Sequence, residues 1–211
     1  MITNFASDKN IQHTSIDDGK YTIHIFLDLS KAFDTINHDI LLKKLEVYGI
    51  RGIPLAWLAS YLSNRTHCVS IDDCMSEYKL ISCGMPQGLI LGLLLFLFYI
   101  NDIVRSSDLL QFLMFADDTY LFMSNMDFKA LIFNLNDKLS KVSRWLKVNK
   151  LSLNIMKTNF IIFHSRQRYI TSDIHLQIDG MLIENVLVTT FLGVMLNENL
   201  TLTKSCFKQN K

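Results

Sequence analysis

The segment that most constrains the fold is LQFLMFADDTYLFMS, residues 110–124. Its two apolar runs flank the acidic pair Asp117-Asp118, a pattern that predicts two strands of a hairpin with both acids at the tip. Turns favour aspartate, so a purely structural turn is one interpretation of the pair. Adjacent like charges repel, however, and burying them without partners costs several kcal/mol.

A third carboxylate lies in another apolar segment. Residues 21–29 are rich in Ile, Phe and Tyr and predict a strand, yet they contain Asp28 with no turn residue beside it. A carboxylate on a central strand usually needs a cation. If this strand lies beside the hairpin, three carboxylates converge, and such hard oxygen ligands suit Mg²⁺. Two such ions about 4 Å apart form the clamp for in-line phosphoryl displacement.

The rest of the chain mixes helical and strand patterns. Helices are predicted at 39–48 with Gly49 after the end, at 55–62 after Pro54, at 89–104, and at 128–148 with a basic outer face. Further strands are predicted at 66–71 and 78–83, joined by a turn at 72–73, and at 158–163, 175–178 and 186–192. Without strict strand–helix alternation, this order favours an α+β fold in which helices back an antiparallel sheet.

Composition excludes several classes of protein. Among the 211 residues, 49% are hydrophobic and 19% charged, so a core can form and wholesale disorder is excluded. The four cysteines form no CxxC pair, which argues against a zinc ribbon and a disulfide-stapled secreted fold. No signal peptide is recognisable, and the apolar segment 89–100 is shorter than the about 20 residues that span a membrane. We expect an intracellular protein without a membrane segment.

Charge is distributed unevenly along the chain. The net charge is +1, but residues 129–168 carry nine Lys or Arg against one acid, whereas residues 1–128 carry nine against fifteen. This basic block is a candidate surface for a polyanion. A solvated helix face is the alternative interpretation.

Six stretches resemble, in order, the motifs of a reverse transcriptase of the non-LTR (LINE-type) retrotransposons. They are FLDLSKAFD (26–34), GMPQGLILG (84–92), YINDI (99–103), FADDT (115–119), LNIMKT (153–158) and FLGV (191–194). The resemblance implies a palm-like domain over 21–200, between a polar segment at 1–20 and a tail at 201–211. It also implies a fragment of a longer protein, with fingers and thumb largely missing.

The resemblance implies roles for individual residues. Asp28 and Asp117 would be the main ligands of two Mg²⁺ or Mn²⁺ ions, and Asp118 the third catalytic carboxylate. Phe33 resembles the steric gate that excludes a ribose 2′-hydroxyl, although an ordinary core aromatic is the alternative. Lys157 resembles the lysine that approaches the triphosphate, with a surface lysine as the alternative.

Two further sets follow from the same resemblance. The loop that positions the incoming nucleotide and template would comprise Gly84, Pro86, Gln87 and Gly88, and the primer grip would comprise Phe191, Leu192 and Gly193. The partners implied are an RNA template, a DNA primer and dNTPs, acting in the nucleus or cytoplasm. Leu89 and Leu93 depart from the family, which commonly has Ser and Pro there.

Two other functions are compatible with parts of this pattern. The chain would be a catalytically inactive nucleic-acid-binding remnant if only the basic helix still acts, through salt-dependent backbone contacts. A palm-type nucleotide cyclase also uses paired acids and two metals. The FLGV and GMPQG stretches argue against the cyclase.

Overall fold

The structure, a computed structural model, describes residues 18–85, 90–115, 118–165, 174–191, 194–197 and 203–204. The chain divides into two compact units. We call residues 1–28, 104–144 and 153–211 the sheet unit, and residues 29–103 and 145–152 the helical unit. Six residues of the expected site lie outside the described ranges: Pro86, Gln87, Gly88, Asp117, Leu192 and Gly193.

The elements of the described residues run in mixed order. The strands are β1 (Tyr21–Leu27), β2 (Leu29–Ser30), β3 (Thr66–His67), β4 (Ser70–Ile71), β5 (Cys74–Met75), β6 (Lys79–Leu80), β7 (Gln111–Phe115), β8 (Asp118–Asn125), β9 (Ser152–Leu153), β10 (Asn159–Phe163), β11 (Gln177–Ile178), β12 (Met181–Leu182), β13 (Glu184–Asn185), β14 (Val188–Phe191), β15 (Val194–Asn197) and β16 (Thr203–Lys204). The helices are α1 (His38–Val47), α2 (Ile53–Leu62), α3 (Ile90–Ile100) and α4 (Phe128–Val148), with a 3₁₀ segment at Asn101–Ser106.

The sheet unit is built on a five-stranded sheet in the order β13-β10-β1-β8-β7. Strand β1 lies at its centre and pairs antiparallel with both β8 and β10, while only β13 joins in parallel. Six of the seven residues of β1 are buried, so both faces of this strand are covered. A strand covered on both faces reads as a near-continuous apolar run, which explains why alternation in residues 21–27 is weak.

Helix α4 is the helix predicted from apolar residues that recur every three or four positions. The helix occupies the predicted span 128–148. Its stripe Leu131, Leu135, Leu139 and Val142 is almost completely buried, as one face of a 3.6-residue helix requires. Lys129, Lys141, Arg144 and Lys147 are exposed on the other side.

The helical unit begins with two capped helices. Asn37 caps α1 by accepting a hydrogen bond from the Ile40 amide, and Gly49 follows the helix with a φ of 95°, a conformation that glycine adopts without strain. Pro54 lies in the first turn of α2, where its missing N–H costs nothing. Helix α1 contacts both α2 and α3.

The predicted fold class is confirmed: helices accompany an antiparallel sheet. The hairpin around residues 72–73 also forms, but as short ribbons that pair β3 with β6 and β4 with β5. The continuous strand expected at 78–83 is therefore wrong. Tyr78 and Leu80 are exposed, and a two-stranded ribbon without packing is only marginally stable.

The apolar helix predicted at 89–104 is shorter than expected. The α-helix ends at Ile100, and the chain continues as the 3₁₀ segment. No helix in the described ranges combines the length and apolar character needed to cross a membrane.

Candidate active site

Asp28 and Asp118 lie at the same end of two neighbouring strands. The register of antiparallel β1 and β8 ends with Leu27 opposite Thr119. Asp28 is the next residue along one strand, and Asp118 is the preceding residue on the other. Because neighbouring strands lie about 4.8 Å apart, the backbone segments that carry these two carboxylates are adjacent.

The hairpin between β7 and β8 closes beside this end of the sheet. Its last pair joins Phe115 to Asp118, as expected for two strands that flank the acidic pair. Asp117 lies outside the described residues, so the structure places the backbone of two of the three predicted carboxylate residues side by side. Within the part of the chain that is described, no group of three His, Cys, Asp or Glu residues is arranged to hold a metal ion.

An aromatic pair lies next to these carboxylates along the strands. The rings of Phe26 and Tyr120 meet edge to face at 4.8 Å between centroids. These residues stand two positions from Asp28 and Asp118, and residues two apart share a face of a sheet. Burial, and next the negative charge of Asp118, raise the pKa of the Tyr120 phenol well above its usual value. Tyr120 therefore stays neutral and adds no charge beside the acids.

Asp28 is held through its backbone by a turn at residues 154–158. The Asp28 N–H donates to the Thr158 hydroxyl at 3.3 Å, and the Asn154 N–H donates to the Asp28 carbonyl at 2.8 Å. The Thr158 hydroxyl itself donates to the Asn154 carbonyl at 2.9 Å. Since Thr158 is completely buried, these bonds fix the main chain of Asp28 and leave its carboxylate unused by them.

Lys157 is carried by the same turn. Its N–H donates to the Asn154 carbonyl at 3.2 Å, and the residue is exposed. The turn thus connects the backbone of Asp28 to a cationic side chain next along the chain from Thr158. This is the arrangement that a lysine near a carboxylate-bound substrate phosphate would need, but the role of Lys157 stays a prediction.

In the helical unit, Phe33 lies in a turn against helix α3. Its half-buried ring contacts Phe96 with 4.6 Å between centroids. The Phe33 carbonyl accepts a hydrogen bond from Met85 at 2.8 Å, and the Ile36 carbonyl accepts one from Gly84 at 2.8 Å. The residue proposed as the gate is thus bonded to the beginning of the GMPQG stretch.

Gly84 is required by this close approach. Its φ is 90°, and a Cβ there would stand 2.8 Å from the Asp34 carbonyl oxygen. The position therefore excludes larger side chains both by conformation and by space. In the predicted primer grip, Phe191 pairs with Val194 where β14 meets β15.

Three residues that fix the backbone near predicted site residues are not identified as such by the sequence: Thr158 and Asn154, which belong to the LNIMKT stretch, and His38, the first residue of α1. The His38 ring donates to the Gly84 carbonyl at 2.7 Å. The signal for Thr158 was a hydroxyl within an apolar strand pattern, but its partner is 130 positions away, a separation that local patterns do not reveal.

A half-buried lysine elsewhere in the helical unit has a structural role. Lys44 lies 2.5 Å from the Asp102 carboxylate and donates to the Tyr99 carbonyl at 2.6 Å. Its ammonium also lies 4.6 Å from the centre of the Trp145 ring. Burial lowers the pKa of Lys44, and the bond to Asp102 opposes that shift. These contacts account for Tyr99 and Asp102 of the YINDI stretch without a catalytic role.

Comparison with known proteins identifies the family. Residues 2–196 match the model of the family described as reverse transcriptase (RNA-dependent DNA polymerase). Because this match covers most of the chain, the protein belongs to the reverse transcriptase family.

Relatives from mobile elements narrow the identification. The chain is 26% identical to the RNA-directed DNA polymerase from mobile element jockey of Drosophila melanogaster, over 96% of this chain and 22% of that protein. It is also 26% identical to the probable RNA-directed DNA polymerase from transposon BS of the same species, over 92% of this chain and 23% of that protein. The expected membership in the reverse transcriptases of non-LTR retrotransposons is confirmed. The chain spans about a fifth of the length of these relatives.

Solved structures show the same fold. Telomerase from Candida tropicalis, in complex with a fragment of telomeric RNA, aligns with a TM-score of 0.66 and 15% identity, over 99% of this chain and 34% of that one. Telomerase from Candida albicans aligns with a TM-score of 0.63 and 14% identity, over 97% of this chain and 34% of that one. At such low identity these likenesses establish the fold alone.

The described donor set fits a divalent metal ion. Reverse transcriptases use such ions as a family. Asp28 and Asp118 offer hard oxygen ligands on adjacent strand ends, and Mg²⁺ is typically bound through one or two carboxylates together with substrate phosphates. The number and identity of the ions belong to the proposal below.

Proposed function

We propose that this chain is the palm of an RNA-directed DNA polymerase, which extends a DNA primer on an RNA template by adding dNTPs to the 3′-hydroxyl. The observation that carries the proposal is the register of β1 and β8, which supports a carboxylate pair at Asp28 and Asp118 in a chain of this family. The relatives named as RNA-directed DNA polymerases are about four to five times longer than this chain. The activity, the template and the primer of this chain are therefore part of the proposal.

The carboxylates of Asp28, Asp117 and Asp118 would hold two Mg²⁺ or Mn²⁺ ions. When bound, such ions lower the pKa of an attacking hydroxyl and neutralise the charge of the departing pyrophosphate. The backbone bonds from Thr158 and Asn154 keep Asp28 in place, so its carboxylate needs little reorganisation on binding. Fixed positioning of this kind contributes much of the rate in phosphoryl transfer.

Other residues would select and orient the nucleotide and the primer. Phe33 would exclude a 2′-hydroxyl, while Gly84, Pro86, Gln87 and Gly88 would lie along the nucleotide and template. Lys157 would approach the triphosphate and give a proton to pyrophosphate as it leaves. The primer end would rest on the segment Phe191, Leu192 and Gly193. We propose that the protein acts inside the cell, in the nucleus or cytoplasm.

Primer extension tests the proposal directly. The full chain is assayed on poly(rA)/oligo(dT) with dTTP and either Mg²⁺ or Mn²⁺. Asp28→Asn should lower incorporation by at least about 100-fold, because loss of a metal ligand removes several kcal/mol of transition-state stabilisation. The matched control is Asp72→Asn at an exposed turn with a φ of 51°, a conformation that Asn adopts readily. Equal incorporation by wild type and Asp28→Asn would exclude the proposed site.

A second candidate function rests on the basic surface of α4. Exposed Lys129, Lys141, Arg144 and Lys147 follow its outer face, so a chain without polymerase activity would still bind nucleic acid through phosphate contacts. Such binding weakens steeply with salt. Salt-sensitive binding of the poly(rA)/oligo(dT) duplex with no incorporation, in wild type as in Asp28→Asn, would identify the inactive remnant.

A further inference from the structure

His38 connects helix α1 to the segment that leads into the GMPQG stretch. It is the first residue of α1, and its Nε2 lies 2.7 Å from the Gly84 carbonyl oxygen. A carbonyl only accepts, so Nε2 carries the proton and donates it. The helix does not need this ring for its own end, because Asn37 already provides the cap.

Backbone bonds surround this contact. Gly84 donates to the Ile36 carbonyl and Met85 to the Phe33 carbonyl, both at 2.8 Å. Asn37 and Cys83 form an isolated bridge one step further. The Gly84–Met85 segment is therefore bonded to residues 33–37 on one side, and the His38 ring holds the carbonyl of Gly84 itself.

The backbone conformation of Gly84 explains why its carbonyl needs the His38 ring as a donor. Gly84 has a φ of 90°, where the backbone leaves the ordinary extended path. Leaving a backbone carbonyl unpaired at such a bend is unfavourable. The imidazole supplies the donor and so holds the Gly84 peptide in this bend.

We infer that His38 is a positioning residue for nucleotide binding: its ring fixes the Gly84–Met85 backbone against the turn that carries Phe33. This inference rests on the proposed polymerase function for its consequence, but not for the contact itself. The ring is given no chemical step. Its loss weakens binding of the incoming nucleotide more than it slows the chemistry.

A neighbouring residue provides a matched control. His38 and His67 line the same cleft, together with Arg65 and Cys83. His67 is exposed and lies on β3, and its pairing partner there is Lys79. His67→Leu therefore removes an imidazole from the same cleft without touching the Gly84 carbonyl.

Hydrogen exchange tests the contact without requiring activity. Amide exchange of Gly84 and Met85 is measured by NMR in wild type, His38→Leu, His38→Gln and His67→Leu. His38→Leu should speed exchange about threefold to tenfold, as loss of one hydrogen bond predicts. His38→Gln keeps a donor near the position of Nε2 and should stay within about twofold of wild type, as should His67→Leu. Unchanged exchange in His38→Leu would overturn the inference.

Steady-state kinetics test the consequence. With primer extension on poly(rA)/oligo(dT), His38→Leu should raise the KM for dTTP about threefold to tenfold while kcat changes less than about twofold, and His38→Gln should restore the KM. A fall in kcat at constant KM, or no rescue by Gln, would overturn it. If wild type incorporates nothing, the proposed function fails and the exchange result alone decides the positioning role. If His38→Leu does not fold, His38→Asn, whose amide ends one bond short of Nε2, replaces it in both assays.

Discussion

Acid should destabilise the sheet unit through one buried histidine. His24 lies in the middle of β1 with 5% of its surface exposed. Its ring stacks on Phe122 at 4.9 Å, and Phe163 meets its ring edge to face at the same distance. Burial among apolar rings disfavours the charged form and lowers the pKa of His24 from 6.5 to about 3.

The size of the effect follows from this shift. Because the folded pKa lies below the unfolded one, the native chain stays neutral where the unfolded chain takes up a proton. The stability contributed by neutral His24 is therefore complete above pH 6.5 and is lost as the pH falls towards 3. At about 1.4 kcal/mol for each pH unit, wild type should lose about 2.7 kcal/mol between pH 6.5 and pH 4.5 through this residue.

Urea unfolding followed by circular dichroism at pH 7.0 and 4.5 measures this loss. His24→Leu removes the titrating group and keeps an apolar side chain, so its free energy of unfolding should fall by about 2.7 kcal/mol less than that of wild type over this interval. His67→Leu, at an exposed position, is the matched control. An equal fall in wild type and His24→Leu would refute the assignment of the acid sensitivity to His24.

Three further substitutions test individual contacts within the two units. Thr158→Val should destabilise the chain by about 1–3 kcal/mol in urea unfolding and Thr158→Ser by less, because valine leaves a backbone amide without its acceptor. Gly84→Ala should cost more stability than Gly49→Ala, since both glycines have positive φ but only the first would meet a backbone oxygen at 2.8 Å; equal costs would refute the clash. Asp102→Asn should destabilise at pH 7 and less so near pH 10, where Lys44, whose pKa is already lowered by burial, sheds its unpaired charge; a constant deficit would refute this pairing.

Local patterns predicted those elements whose own sequence determines their form. The stripe of α4, the glycine after α1 and the hairpin across residues 110–124 each depend on residues within a few positions of one another. The prediction of a continuous strand at 78–83 was wrong because a strand extends only where its side chains are buried by packing. The side chains of Tyr78 and Leu80 are exposed, so a longer strand would bury no further apolar surface. Periodicity cannot report what lies against a strand.

Sequence alone suggested that Asp28 needed a partner, because a carboxylate within an apolar strand is unfavourable without one. It did not show which strand lies beside it; the register with β8 does, by bringing Asp118 to the adjacent position. The pairs of β1 lie about 90 to 140 positions apart along the chain, so the adjacency arises only when the sheet forms.

Asp28 and Asp102 differ in which part of each residue forms the bonds to its neighbours. The Asp102 carboxylate is paired with the half-buried Lys44 ammonium at 2.5 Å. Asp28 is held instead through its N–H and carbonyl by Thr158 and Asn154. A residue anchored by its backbone presents its side chain to whatever binds there, which is what a metal ligand requires. The sequence predicts a structural role for Asp102 and a metal-binding role for Asp28, and the bonds of Asp102 to Lys44 confirm the first, while the second stays a prediction.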